Sequence, residues 1–169
     1  MQFILCWVWL SALVVTMAIT GGCSDDPSAT SPPSEQNQQN LPDLSEAIQK
    51  RIEGKTDEAL AILRKLNNEY PESPEIITML GRTLLDAEEF ALAAFRLEQA
   101  FALGSETKVL AEAAQAHELA GDDESAEKAY ATYMGKHPDD TFANLKYARV
   151  LHRLGEHSKA LDAFLQASD

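Results

Sequence analysis

Four arginines, Arg51, Arg82, Arg149 and Arg153, are the side chains of this sequence best suited to recognising another molecule. A guanidinium presents a planar fork of donors that can meet a carboxylate in two parallel hydrogen bonds. The other chemistry-bearing residues are less telling. Asp122-Asp123-Glu124 and Asp139-Asp140 lack the acid spacing of a calcium loop. They read as helix openers, where negative charge meets the positive end of the helix dipole. His117, His137, His152 and His157 include no pair at helical ligand spacing with a third partner. There is no phosphate loop, no dinucleotide-binding glycine fingerprint, no GxSxG and no HExxH. No nucleophile and base can be paired from the sequence, so no enzymatic activity, metal or cofactor is expected and the arginines point to binding.

The elements that would hold these arginines are announced by an alanine that recurs at a fixed interval. Ala59, Ala93, Ala126 and Ala160 lie 34, 33 and 34 residues apart in similar surroundings. A period of this length is the mark of stacked helical pairs. Apolar periodicity predicts pairs over 43–53 and 56–69, 74–86 and 89–103, 106–120 and 123–136, and 139–154 and 157–168. The punctuation agrees with this. Pro71 and Pro138 follow second helices. Ser73 before Pro74 is an N-cap with proline in the first helical position. Asp43 and Glu46 have capping-box spacing, and Gly54, Gly121 and Gly155 end first helices. Tyr130, Tyr133 and Phe164 fall on apolar faces and are expected in the core.

Residues 43–169 resemble tetratricopeptide repeats. Ile77, Leu80-Gly81 and Leu84 match the first-helix pattern of that family. Ala59/Leu63, Ala93/Leu97, Ala126/Tyr130 and Ala160/Phe164 match the second. The closing proline is present as Pro71 and Pro138, with Ser105 in its place in repeat two. The resemblance implies an all-α, right-handed α-solenoid of about four units, near 43–73, 74–106, 107–140 and 141–169. Ala47, Gly81, Ala114 and Ala148 would face the recurring alanines where helix backbones approach. A larger group there would cost about 1–3 kcal/mol through overpacking. Repeat one has Asp43 and Glu46 where large apolar groups are usual, so its first helix is expected to be degraded.

The chain has 169 residues and a formal net charge of −13, which disfavours nucleic acid as a partner. Its two cysteines, Cys6 and Cys23, leave the repeats without disulfides. Residues 1–22 are uncharged and apolar and end in Gly21-Gly22 before Cys23. This arrangement resembles a bacterial lipoprotein signal peptide, which implies that Cys23 is acylated and becomes the N-terminus. Thr20 stands where that pattern usually has leucine, and no Lys or Arg precedes the apolar run. An uncleaved anchor and a simple cleaved signal are therefore the alternatives. All three put the remainder outside the cytoplasm. Ser24, by the sorting pattern of lipoproteins, favours the outer over the inner membrane. Residues 23–42, rich in Ser, Pro, Gln and Asn, are expected to form a disordered tether.

In such repeats the first helices line the concave face, and equivalent residues stack in rows. One row is Ile48, Arg82, Gln115 and Arg149; a second is Leu44, Thr78, Ala111 and Leu145; a third is Arg51, Leu85, Glu118 and His152, with Arg153 beside it. Arginines among apolar side chains suit a protein or peptide partner with acidic and apolar groups, or a free C-terminal carboxylate. The lysine and asparagine clamp of the family's chaperone-binding members is not matched, since Thr78 and Gln115 occupy its positions. The alternative is that the arginines form ion pairs inside the array, for example with Glu118 or Asp86. On the last helix, Phe164, Leu165 and Ala167 have no following repeat to cover them, which predicts an interface and a possible homo-oligomer. The expected function is a membrane-tethered scaffold or assembly factor at the cell envelope. The alternatives are an accessory lipoprotein of an envelope enzyme or transport complex, and a self-associating structural component.

Overall fold

A computed structural model of the chain describes residues 43–167. The leader, Cys23 and the tether lie outside the described residues. Eight helices follow one another: α1 Ser45–Ile52, α2 Thr56–Glu69, α3 Pro74–Asp86, α4 Phe90–Ala102, α5 Lys108–Ala120, α6 Asp123–Met134, α7 Thr141–Arg153 and α8 His157–Gln166. Among the described residues there is no strand. Each helix packs on its neighbours in sequence, and α3 touches α5 as α5 touches α7. The odd-numbered helices thus form one layer of the solenoid.

The same backbone motif ends every first helix. The amide of the second or third residue past the helix end returns to a carbonyl in the last turn: Lys55 to Lys50 at 2.9 Å, Glu89 to Leu84 at 3.0 Å, Asp122 to His117 at 2.9 Å and Glu156 to Leu151 at 2.9 Å. This closure places the preceding residue in the left-handed region. Gly121 takes it with φ 80°, and in repeat two Glu88 takes it with φ 59°. The turn is therefore built even where no glycine announces it. Side-chain caps begin three helices: Ser73, Asp122 and Asp140 accept from the amides of Ile76, Ser125 and Ala143. The capping box expected from Asp43 and Glu46 does not form. Asp43 Oδ1 instead accepts from the Ser45 amide at 2.9 Å, because the helix begins one residue late with Leu44 at the cap position.

The core is a ladder of small residues. Ala47, Ala114 and Ala148 are buried, as are Ala59, Ala93, Ala126 and Ala160 of the second helices. Leu63, Leu97, Tyr130 and Leu151 fill the space between. Phe164 departs from its expected core position and is exposed, since the outer face of α8 is covered by no other described helix. Gly81 marks the tightest approach. A Cβ there would lie 2.7 Å from Leu97 Cγ, 2.8 Å from Leu97 Cδ2 and 3.3 Å from the Leu97 amide nitrogen. Leu97 is fully buried and has nowhere to swing.

Two effects oppose one another at this position. Alanine gains about 1 kcal/mol of helix propensity over glycine, whereas crowding a packed core costs about 1–3 kcal/mol. Gly81→Ala is therefore expected to destabilise the fold by about 1 kcal/mol. Urea denaturation followed by circular dichroism checks it, and an unchanged or raised midpoint would refute it.

Candidate peptide-binding groove

The odd-numbered helices carry a run of three hollows. The first, 380 Å³, lies between Leu44, Thr78, Met79, Arg82 and Val109. The second, also 380 Å³, is lined by Arg51, Arg82, Leu85, Asp86, Glu112, Gln115 and Leu119. The third, 200 Å³, lies between α5, α6 and α7 and shares Glu112 and Gln115 with the second. Shared walls make the three one groove. Of the residues expected along it, the structure brings Leu44, Arg51, Thr78, Arg82, Leu85, Ala111 and Gln115 to these hollows. Ile48, Leu145, Arg149, His152 and Arg153 do not line them. Thr78 is largely buried, and its hydroxyl meets that of Ser105 at 3.0 Å, with Ser105 holding the place of the closing proline.

The arginines are committed inside the array. Arg82 donates from Nε and Nη2 to the two oxygens of Glu112 at 2.7 and 2.8 Å. Arg51 pairs with Asp86. Arg149 Nη2 and Arg153 Nη1 reach the same Glu118 oxygen at 2.5 and 3.1 Å. Arg153 also holds Asp123 through Nε and Nη2, at 2.7 and 2.6 Å. Every pair joins consecutive repeats. The Glu118 side chain is only 8% exposed, so its two guanidiniums supply the charge compensation that a desolvated carboxylate requires. The Glu112 hydrogen bond raises the affinity of Arg82 for its proton. Sequence reasoning named Glu118 and Asp86 as possible partners but missed Glu112 and Asp123. The available signal was a spacing close to the repeat period: Glu112 lies 30 residues from Arg82, and Asp123 lies 30 from Arg153.

The third hollow has a different character. Asp140, besides capping α7, accepts the Tyr133 hydroxyl at 2.7 Å. That bond raises the Tyr133 hydroxyl to about 12. The Ala143 amide and the Tyr133 hydroxyl together lower the Asp140 carboxyl. Lys108 and Lys146 stand at its rim, and Lys146 Nζ lies 5.2 Å from the centre of the Phe142 ring. Neither lysine was anticipated as a groove residue. Elsewhere, the rings of His152 and His157 lie 5.1 Å apart, and Phe164 and Leu165 of α8 are 43% and 55% exposed. Among the described residues no cluster of metal-ligating side chains occurs.

The tetratricopeptide repeat family model matches residues 51–105. No curated protein matches the chain in sequence. Among solved structures, MamA AMB-1 superposes with a TM-score of 0.70 at 21% identity, over 74% of this chain and 69% of that one. A crystal structure of MamA gives 0.68 at 22% identity, over 72% and 71%. MamA residues 41 to the end from Desulfovibrio magneticus RS-1 gives 0.67 at 17% identity, over 74% and 71%. At these identities the likeness shows a common fold. Residues 51–105 thus carry the tetratricopeptide repeat pattern, and the described helices share the fold of these solved structures.

The paired acids set the response to pH. Asp123, through Arg153, and Asp140 both titrate below their ordinary value of 3.8 in the folded chain. The unfolded chain therefore takes up these protons first as pH falls. Their stabilising contribution is whole above the ordinary value and is lost as pH drops through the lower folded values. Urea midpoints measured from pH 6 to pH 2 are expected to fall below about pH 4. In Asp140→Asn, whose amide still caps α7, that fall should be shallower; a curve superposable on the parent would refute the assignment.

Proposed function

We propose that this chain is a membrane-tethered interaction module that holds an extended peptide segment of a partner protein in the groove over its first helices. The continuity of the three hollows through Arg82, Glu112 and Gln115 carries this reading. A chain of side chains can enter successive hollows, whereas a single small ligand needs one enclosed pocket with converging polar groups. The arginines shape the walls. Arg82, held by Glu112, can still offer apolar stem and unused N–H donors to a passing segment.

Gln115 lines two of the hollows and takes part in none of the ion pairs between repeats, so enlarging it blocks the groove while leaving the array intact. Peptides selected on the parent chain from a random display library are expected to bind Gln115→Trp at least about tenfold more weakly, which corresponds to about 1.4 kcal/mol. The circular dichroism spectrum should not change. Equal binding by a folded Gln115→Trp chain would defeat the groove reading.

The tether reading rests on the sequence before the repeats. We assign lipid attachment to Cys23 and the repeats to the outer side of a bacterial membrane, with the outer membrane favoured by Ser24. Mass spectrometry of protein extracted from bacterial membranes is expected to show an acylated N-terminus at Cys23, and Cys23→Ser is expected to accumulate unprocessed. An intact leader on the membrane-extracted parent would overturn the assignment.

A further inference from the structure

The third hollow has a charge that sets it apart from the rest of the groove. Of the two acids that line it, Glu112 is neutralised by Arg82, whereas Asp140 keeps its charge and is bonded only to neutral donors, so two lysines stand against one carboxylate without a cation partner. Glu112 is held by both donors of Arg82 at 2.7 and 2.8 Å, and Asp140 accepts the Ala143 amide at 3.0 Å and the Tyr133 hydroxyl at 2.7 Å. Its two lysines are not engaged in this way. Among the described residues Lys108 and Lys146 have no carboxylate partner, and Lys146 rests on the Phe142 ring. The contrast with Arg51, Arg82, Arg149 and Arg153 is direct, because all four spend their charge within the array.

The position and walls of the hollow sharpen its preference. Lys108 is the first residue of α5, and Phe142 lies in the first turn of α7. Both helices therefore point the positive ends of their dipoles to this side. Between the lysines the walls are apolar: Ala111, Ala143 and the rings of Tyr130 and Phe142. Phe142 is 67% exposed although it is a large aromatic. A volume of 200 Å³ suits one large side chain and cannot hold a folded element.

The geometry points to a subsite that takes a large apolar side chain, phenylalanine or leucine, flanked by an acidic residue within an extended peptide of a partner protein. The apolar side chain fills the space between Ala111, Tyr130 and Phe142, and the flanking carboxylate meets Lys108 and Lys146. The carboxylate belongs to a side chain and not to a chain end, because the groove continues past Glu112 and Gln115 into the second hollow and the peptide can run through. This subsite deepens the groove reading and rests on it.

The test uses fluorescence anisotropy with the full chain and three acetylated, amidated Gly-Ser peptides carrying a central Glu-Phe-Glu, Gln-Phe-Gln or Glu-Ser-Glu. The Glu-Phe-Glu peptide is expected to bind at least about tenfold more tightly than either of the others, with an affinity that falls as salt rises. Lys108→Glu/Lys146→Glu is expected to lose that preference, and Lys108→Arg/Lys146→Arg to keep it; circular dichroism reports folding for both. Glu-Phe-Glu and Gln-Phe-Gln binding alike, or a folded charge-reversed chain retaining the preference, would overturn the subsite. If the Glu-Phe-Glu preference is absent while library-selected peptides still lose affinity for Gln115→Trp, the subsite falls and the groove stands. If those peptides bind Gln115→Trp as they bind the parent, the groove falls and the subsite with it. A free C-terminal Glu-Phe peptide that outbinds the amidated one would place the carboxylate at a chain end and refute the proposal as stated.

Discussion

Two helix backbones can lie against one another only where a side chain stops at Cβ or before it, and this solenoid meets that condition at every pair. Ala114 packs in one cluster with Ala126 and Ala148 in one with Ala160, while Gly81 lies against Leu97. The larger residues Leu63, Leu97, Tyr130 and Leu151 then occupy the volume beside each contact. At Gly81 the approach leaves no room even for a methyl group. Because interiors are close-packed and transmit displacement, the spacing of one pair fixes where the next repeat can sit. The width of the groove on the odd-numbered helices is thus a consequence of the smallest side chains in the core.

Packing sets distance, and the ion pairs fix how consecutive repeats register. Arg51 with Asp86, Arg82 with Glu112, and Arg149 and Arg153 with Glu118 and Asp123 each cross a repeat boundary. An exposed pair of this kind contributes at most about 1 kcal/mol, so none of them holds the array together. The Glu118 cluster differs because its carboxylate is nearly buried, and removing either guanidinium would leave charge poorly compensated. The boundary between the third and fourth repeats is where electrostatics contributes most, while the earlier boundaries rely on Leu80, Leu84 and Leu97.

The architecture was legible because it is local and periodic. Alanine spacing, Ser73-Pro74 and the first-helix glycines each act within a few residues, and the helices fall close to the expected spans. Pairing across repeats was less legible. The partner of Arg82 lies 30 residues away in a chain with 27 acids, and nothing local to Arg82 singles out Glu112. The third hollow was hidden for a related reason: Lys108, Phe142 and Lys146 lie on first helices but outside the stacked rows, and Tyr130 and Tyr133 reach it from α6, a second helix. Glu88 shows the opposite limit, a left-handed turn imposed by the closing hydrogen bonds on a residue with no propensity for it.

A subsite for acidic peptides on an acidic chain, as proposed, looks contradictory until distance is considered. The formal charge of −13 is spread over the surface, and at physiological salt each charge is screened beyond about 8 Å. A peptide seated in the third hollow feels chiefly Lys108, Lys146, Arg82 and the acids already bound there. Net charge therefore acts against approach and little against the seated state. Such a surface gains nothing from long-range steering, which would need a field of the opposite sign. Its discrimination must come from fit at short range, where an apolar side chain displaces water from the tyrosine and phenylalanine walls and the lysines complete the contact. On the proposed reading, discrimination between peptides would therefore lie in how long a seated one stays and not in how fast it arrives.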